Sequence, residues 1–121
     1  MCIRDRVYTD LSSKAMVEKA VEELKKSGVE CILCQDDYIC DEAVRKLSHM
    51  GVRIPDQMKV ASCHYSRILE NYPVTVTSLK FNITELGRRS CQVLLDMIHG
   101  KTVPDKTLLD YEIILKESTK G

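Results

Sequence analysis

Three apolar stripes at helical spacing, each closed by a glycine, alternate along this chain with short apolar runs. Met16, Val17, Ala20, Val21 and Leu24 form the first stripe, and Gly28 ends it. Ile39, Ala43, Val44, Leu47 and Met50 form the second, closed by Gly51. Leu86, Val93, Leu94, Met97 and Ile98 form the third, closed by Gly100. A period of 3.6 residues puts such side chains on one helix face, and a glycine just past the last turn takes the left-handed conformation that ends a helix. Helices are therefore expected over 12–27, 38–50 and 84–99. Ser12, Ser13 and Asp10 are candidate caps for the first. Asn82 with Glu85 is a candidate capping box for the third.

The runs between the stripes read as strands. Residues 7–8 look like a strand stub, and 29–35 like a strand covered on both faces. Residues 59–63, 76–80 and 107–115 are also expected to be extended, with 66–75 irregular around Pro73. Strands separated by helices of this length imply βαβ units with right-handed crossovers. The expected fold class is thus α/β, a parallel sheet with flanking helices.

At 121 residues, 44% hydrophobic and 30% charged, the chain has the composition of one folded domain. Its 18 basic and 18 acidic residues cancel and are interleaved. That argues against a nucleic-acid surface in this segment, which would need clustered cations. No apolar run approaches the roughly 18 residues of a membrane span. Residues 1–6 carry charges where a secretion signal needs an apolar stretch. They read as the translation of a transposon-end sequencing adapter, so 1–6 are expected to be a scar and the chain a partial reading frame. Thiols scattered through apolar runs (Cys31, Cys34, Cys40, Cys63, Cys91) suggest buried free cysteines in a reducing cytoplasm.

In an open parallel sheet, ligands bind beyond the carboxyl ends of the strands. The run 29–35 delivers Gln35, Asp36, Asp37 and Tyr38 there, and 59–63 delivers His64, Tyr65 and Ser66. Asp10 follows the strand stub. Carboxylates at such an edge can accept two hydroxyl hydrogen bonds at once, and the tyrosines offer ring faces, a set suited to sugars or nucleosides. Asp36 or Asp37 is equally suited to cap the second helix. Cys31 and Cys34 have zinc-knuckle spacing, but on a strand they point to opposite faces, so no metal is expected. No nucleophile elbow or phosphate loop occurs. His49 and His99 sit at helix ends, where a cation suits the dipole. A binding module rather than an enzyme is expected, with no cofactor. A phosphorylation receiver, the enzymatic alternative, would need an acceptor aspartate where this chain has Cys63-His64.

These residues resemble a known family. Residues 32–47 (ILCQDDYICDEAVRKL), 50–56 (MGVRIPD) and 60–62 (VAS) are similar to the lac repressor/galactose repressor family. The likeness continues through 76–79 (VTSL), 85–89 (ELGRR), Leu94-Leu95, Ile98, Gly100 and 116–119 (KEST). It implies the C-terminal half of a two-lobed, periplasmic-binding-protein-like sensor. Residues 7–75 would form the C-terminal lobe. Residues 76–106 would hold a crossover and one helix of the other lobe, and 107–119 the last strand. The resemblance further implies a small-molecule effector (sugar- or nucleoside-like), with Asp37 on the family's effector-contacting aspartate. It implies operator DNA bound by an upstream helix-turn-helix, and a homodimer through helices 12–27 and 38–50. A periplasmic sugar-binding protein is the alternative. This chain departs from the family at 62–65 (SCHY), where an aspartate pair is usual, and at Phe81-Asn82, where Gln-Pro is usual.

Overall fold

The computed structural model describes residues 6–121. The expected adapter scar lies outside them, save Arg6. The elements run α1 (Lys14–Lys26), β1 (Cys31–Cys34), α2 (Asp37–His49), β2 (Lys59–Ser62), β3 (Thr77–Phe81), α3 (Ile83–Ile98) and β4 (Tyr111–Ile114). Two short 3-10 turns at Arg67–Glu70 and Glu117–Thr119 complete them. Four strands form one sheet in the order β1-β2-β3-β4. β1, β2 and β3 are parallel, with Ile32 beside Val60 and Ser62 beside Ser78. β4 is antiparallel to β3, with Phe81 beside Tyr111. The sheet thus has the expected parallel strands and flanking helices, and adds one antiparallel strand: after α3 the chain enters β4 beside the end of β3.

The helices begin and end where their chemistry dictates. Ser13 caps α1, its side chain accepting from the Met16 amide, and Asp36 caps α2 by accepting from Ile39 N at 2.8 Å. Gly28 and Gly51 close these helices at φ of 73° and 69°, a region that only glycine enters without cost. Asn82 accepts from Glu85 N at 3.0 Å and caps α3. The reciprocal half of the box is replaced: the Glu85 carboxylate turns forward to Arg88 and Arg89, at 2.7 and 2.8 Å. Those two guanidiniums hold its pKa down at about 2.

Val17, Ala20 and Val21 of α1 and Cys40, Ala43, Val44 and Leu47 of α2 are buried. Apart from Ala20, they form one core with Ile32 and Cys34 of β1, Val60 of β2, Met58, Leu69 and Val76. The spacing i, i+3, i+4, i+7 makes a stripe wide enough for one helix to cover a sheet and its neighbour together. Lys46 stitches the pair from outside, 2.6 Å from Glu22, and Lys14 reaches Glu42 at 3.6 Å. The only large exposed apolar side chains within α1 and α2 are Met16 and Tyr38, among the described residues.

Three expectations are corrected here. Residues 7–10 carry no strand, and the outer edge of β1 has no ladder partner among the described residues. β1 is covered on one face only; Ile32 and Cys34 are buried while Leu33 is 69% exposed. The thiols are not uniformly buried either. Cys34 and Cys40 are, Cys63 is half-buried, and Cys31 and Cys91 are exposed. α3 contains no buried residue, and its Leu86, Leu94, Leu95, Met97 and Ile98 are all exposed.

The carboxyl-terminal turn locks the middle of the sheet. Ser118 is fully buried. Its hydroxyl donates to Val60 O at 2.6 Å and accepts from Thr77 N at 2.9 Å. It thus replaces a direct ladder bond between β2 and β3 just before their register begins. Removing it strands two buried backbone groups, each costing about 1–3 kcal/mol when unsatisfied. Ser118→Ala is expected to lower unfolding free energy by about 2 kcal/mol in urea titration, while Ser12→Ala, on the exposed lead-in, leaves the midpoint in place.

Candidate functional site

The carboxyl ends of β2 and β3, the amino end of β4 and the start of α3 surround a cleft of about 650 Å³. His64, Tyr65, Lys80, Phe81, Asp110 and Tyr111 are among its lining residues, with Asn82, Ile83, Thr84 and Glu112. The ladder explains the grouping. Lys80 lies beside Glu112 and Phe81 beside Tyr111 across the antiparallel pair, one pair on each face of the sheet where it ends at the cleft. Five tyrosines and one phenylalanine are all the aromatics the chain has, and Tyr65, Phe81 and Tyr111 meet here.

The segment after β2 is tightly held. The Ser62 hydroxyl donates to His64 O at 2.8 Å and accepts from His64 N at 3.1 Å. Tyr65 N donates to Leu79 O at 2.8 Å, tying this turn to β3. The Tyr65 hydroxyl donates to Glu70 at 2.7 Å, and Lys116 reaches the same carboxylate at 3.2 Å. The Lys80 and Lys116 ammonium groups stand 5.6 and 5.8 Å from the Tyr65 ring centre, within cation–π range. The Glu70 bond pushes the Tyr65 pKa up, and Tyr65 and Lys116 pull that of Glu70 down. Tyr65 therefore offers the cleft a ring whose hydroxyl is already committed.

Of the residues singled out from the sequence, the structure brings some together and separates others. His64 and Tyr65 line the cleft. Asp37 is not a lining residue, but its Oδ1 lies 3.7 Å from His64 Nδ1, beyond hydrogen-bond range and close enough for electrostatic contact. Asp36 is engaged as the α2 cap. Tyr38 is exposed on the first turn of α2. Asp10 sits on the lead-in at φ 58°, with no hydrogen bond or ion pair to Asp37, His64 or Tyr65 among the described residues. Cys31 and Cys34 point to opposite faces of β1, as strand geometry requires.

Sequence reasoning missed Lys80, Asp110 and Glu112, which were hidden because the antiparallel return of β4 was not anticipated. The Asp37 pKa is lowered, first by the Ser66 hydroxyl and also by His64 and the amides at the start of α2, against an opposing burial effect. Ser66 Oγ is buried and outside strict hydrogen-bond geometry with any described partner, so it acts as a nearby dipole rather than a bonded one.

The chain matches the periplasmic binding protein-like domain over residues 3–119, and it belongs to that family. It is 26% identical over 113 residues to the HTH-type transcriptional regulator CelR of Thermobifida fusca, covering 92% of this chain and 33% of that protein. It is 25% identical over 89 residues to the HTH-type transcriptional repressor MelR of Bacillus subtilis (strain 168), covering 74% of this chain and 26% of that one. Among solved structures it is similar to a LacI family transcriptional regulator from Bifidobacterium animalis subsp. lactis DSM 10140. That likeness has a TM-score of 0.83 and 26% identity over 93% of this chain and 42% of that chain. The chain thus spans between about a quarter and a third of the length of these curated relatives.

A carboxylate whose pKa is depressed in the fold stabilises above its unfolded pKa of about 3.9, and that stabilisation fades as pH falls through the folded value. Asp37 has this sign. The urea midpoint of Asp37→Asn is expected to lie below that of the parent at about pH 6, and the gap to narrow as pH falls below about 3.9. A gap that is constant across this range would contradict the pairing.

Proposed function

We propose that this chain is part of the effector-sensing domain of a bacterial DNA-binding transcriptional regulator of the lac repressor/galactose repressor type. The observation that carries the proposal is the cleft at the carboxyl ends of β2 and β3. Aromatic rings and hydrogen-bond acceptors meet there, on a fold whose relatives are named HTH-type regulators. Rings flanked by carboxylates suit a small ligand rich in hydroxyl or amine donors, in the sugar- or nucleoside-like class. His64 and Tyr65 are its candidate contacts, with Asp37 beside His64 and Asp36, Tyr38 and Asp10 at greater remove.

In this reading the lobe of residues 7–75 and the helix of 76–106 belong to opposite walls of the sensor. The exposed apolar side of α3 supports that division, because none of the described helices or strands packs on it. DNA contact belongs to a helix-turn-helix upstream, consistent with a segment of zero formal net charge. α1 and α2 would carry a homodimer contact that is mostly polar, given their few exposed apolar side chains. Effector binding acts by favouring one arrangement of the lobes, a shift between two populated states, in a cytoplasmic protein. No helix among the described residues is long and apolar enough to cross a membrane.

Reading the gene upstream tests this directly. A helix-turn-helix in the same frame is the expected outcome, and a secretion signal would favour a periplasmic sugar-binding protein instead. A second check uses the chain itself. In this reading the chain supplies only part of each wall of the sensor, so calorimetric titration of the 121-residue chain with sugars and nucleosides should give affinities weaker than micromolar. Micromolar binding would mean that this part suffices alone.

A further inference from the structure

We infer that Asp37 is a positioning residue for the cleft: it orients the His64 ring with its Nδ1–H toward the carboxylate, so that His64 presents a proton-free Nε2 to the ligand. The inference rests on the reading of this cleft as the effector site and gives Asp37 an indirect part in it. Three observations on different elements converge. Asp37, in the first turn of α2, lies with Oδ1 3.7 Å from His64 Nδ1. His64 lines the cleft and Asp37 does not. The His64 backbone is held at both its amide and its carbonyl by the Ser62 hydroxyl, so the ring hangs from a fixed point.

The chemistry follows from the two unequal ring nitrogens of neutral histidine. One carries the proton and the other accepts, and the neighbour of one sets the role of the other. A carboxylate beside Nδ1 favours the proton there, reversing the ordinary preference of histidine for Nε2–H. Asp37 is kept charged for this task, its pKa lowered by the Ser66 hydroxyl and the amides opening α2. Its Oδ1 also accepts from Tyr38 N at 3.1 Å, which fixes the carboxylate relative to the helix. With Nε2 as an acceptor, and Asp110 and Glu112 in the same lining as Lys80, the acceptors of this wall suit ligand hydroxyl or amine donors.

The test reads the tautomer without any effector, so it stands apart from the functional reading. Nitrogen-15 NMR of the full chain at alkaline pH, where the rings are neutral, distinguishes Nδ1–H from Nε2–H at His64, with His49 and His99 as internal controls. The expected result is a His64 mainly in the Nδ1–H form, falling below half in Asp37→Asn while His49 and His99 do not change. A parent His64 mainly in the Nε2–H form overturns the inference whatever the variant does. So does an Nδ1–H majority that survives Asp37→Asn. Where Asp37→Asn fails to fold, Asp37→Ser, which keeps a helix-starting side chain, makes the same comparison. A missing helix-turn-helix upstream would sink the regulator reading and leave the tautomer result intact.

Discussion

Because α1 and α2 pack together over a single core on one face of the sheet, the carboxyl ends of β1 and β2 and the amino end of α2 come to lie at one edge. Right-handed crossovers between parallel strands leave the connecting helices little choice of face. The core of Val17, Val21, Val44, Leu47 and Val60 then fixes how far α2 can slide along β1 and β2. That constraint sets Asp37, in the first turn of α2, against His64, two residues beyond the end of β2. No polar interaction in the cleft has to hold the elements together. The apolar stripe does so, and the polar groups are delivered as a consequence.

The part of the fold built from local signals was legible. The stripes, the glycine stops, the Ser13, Asp36 and Asn82 caps and the strands 31–34, 59–62 and 77–81 all follow from periodicity and capping chemistry, which act over a few residues. What failed depended on partners distant in sequence. Residues 7–8 read as a strand by composition, yet a strand needs a ladder neighbour, and none pairs with the outer edge of β1. The run 29–35 read as covered on both faces, yet coverage depends on what packs there, and Leu33 is open. The direction of β4 could not be read from the run 107–115, because alternation is the same in either sense.

The candidate site divides along the same line. His64 and Tyr65 were legible as a strand end, and Asp36 as a cap, because each rests on its own neighbours. The Lys80–Glu112 and Phe81–Tyr111 pairings were not, since they arise from an antiparallel register some thirty residues apart in sequence. Asp10 and Tyr38 carry the right chemistry for a sugar contact, yet neither is drawn to the cleft. Residue type identifies what a side chain could do; only register and crossover decide what it faces.

Tyr65 shows how the chain narrows its own chemistry. A tyrosine at a strand end could give a ligand both a ring and a hydroxyl. Glu70 takes the hydroxyl and Lys116 bonds the same carboxylate, while Lys80 and Lys116 stand by the ring. Lys80 is itself a cleft residue and takes part in no ion pair among the described residues. Its ammonium stands by an aromatic face rather than in an ion pair. Glu112, its partner across the ladder, is left with acceptor capacity to spare. The network around Tyr65 thus commits one donor of the cleft, while the Lys80 ammonium and the carboxylates of Asp110 and Glu112 stay among its lining groups.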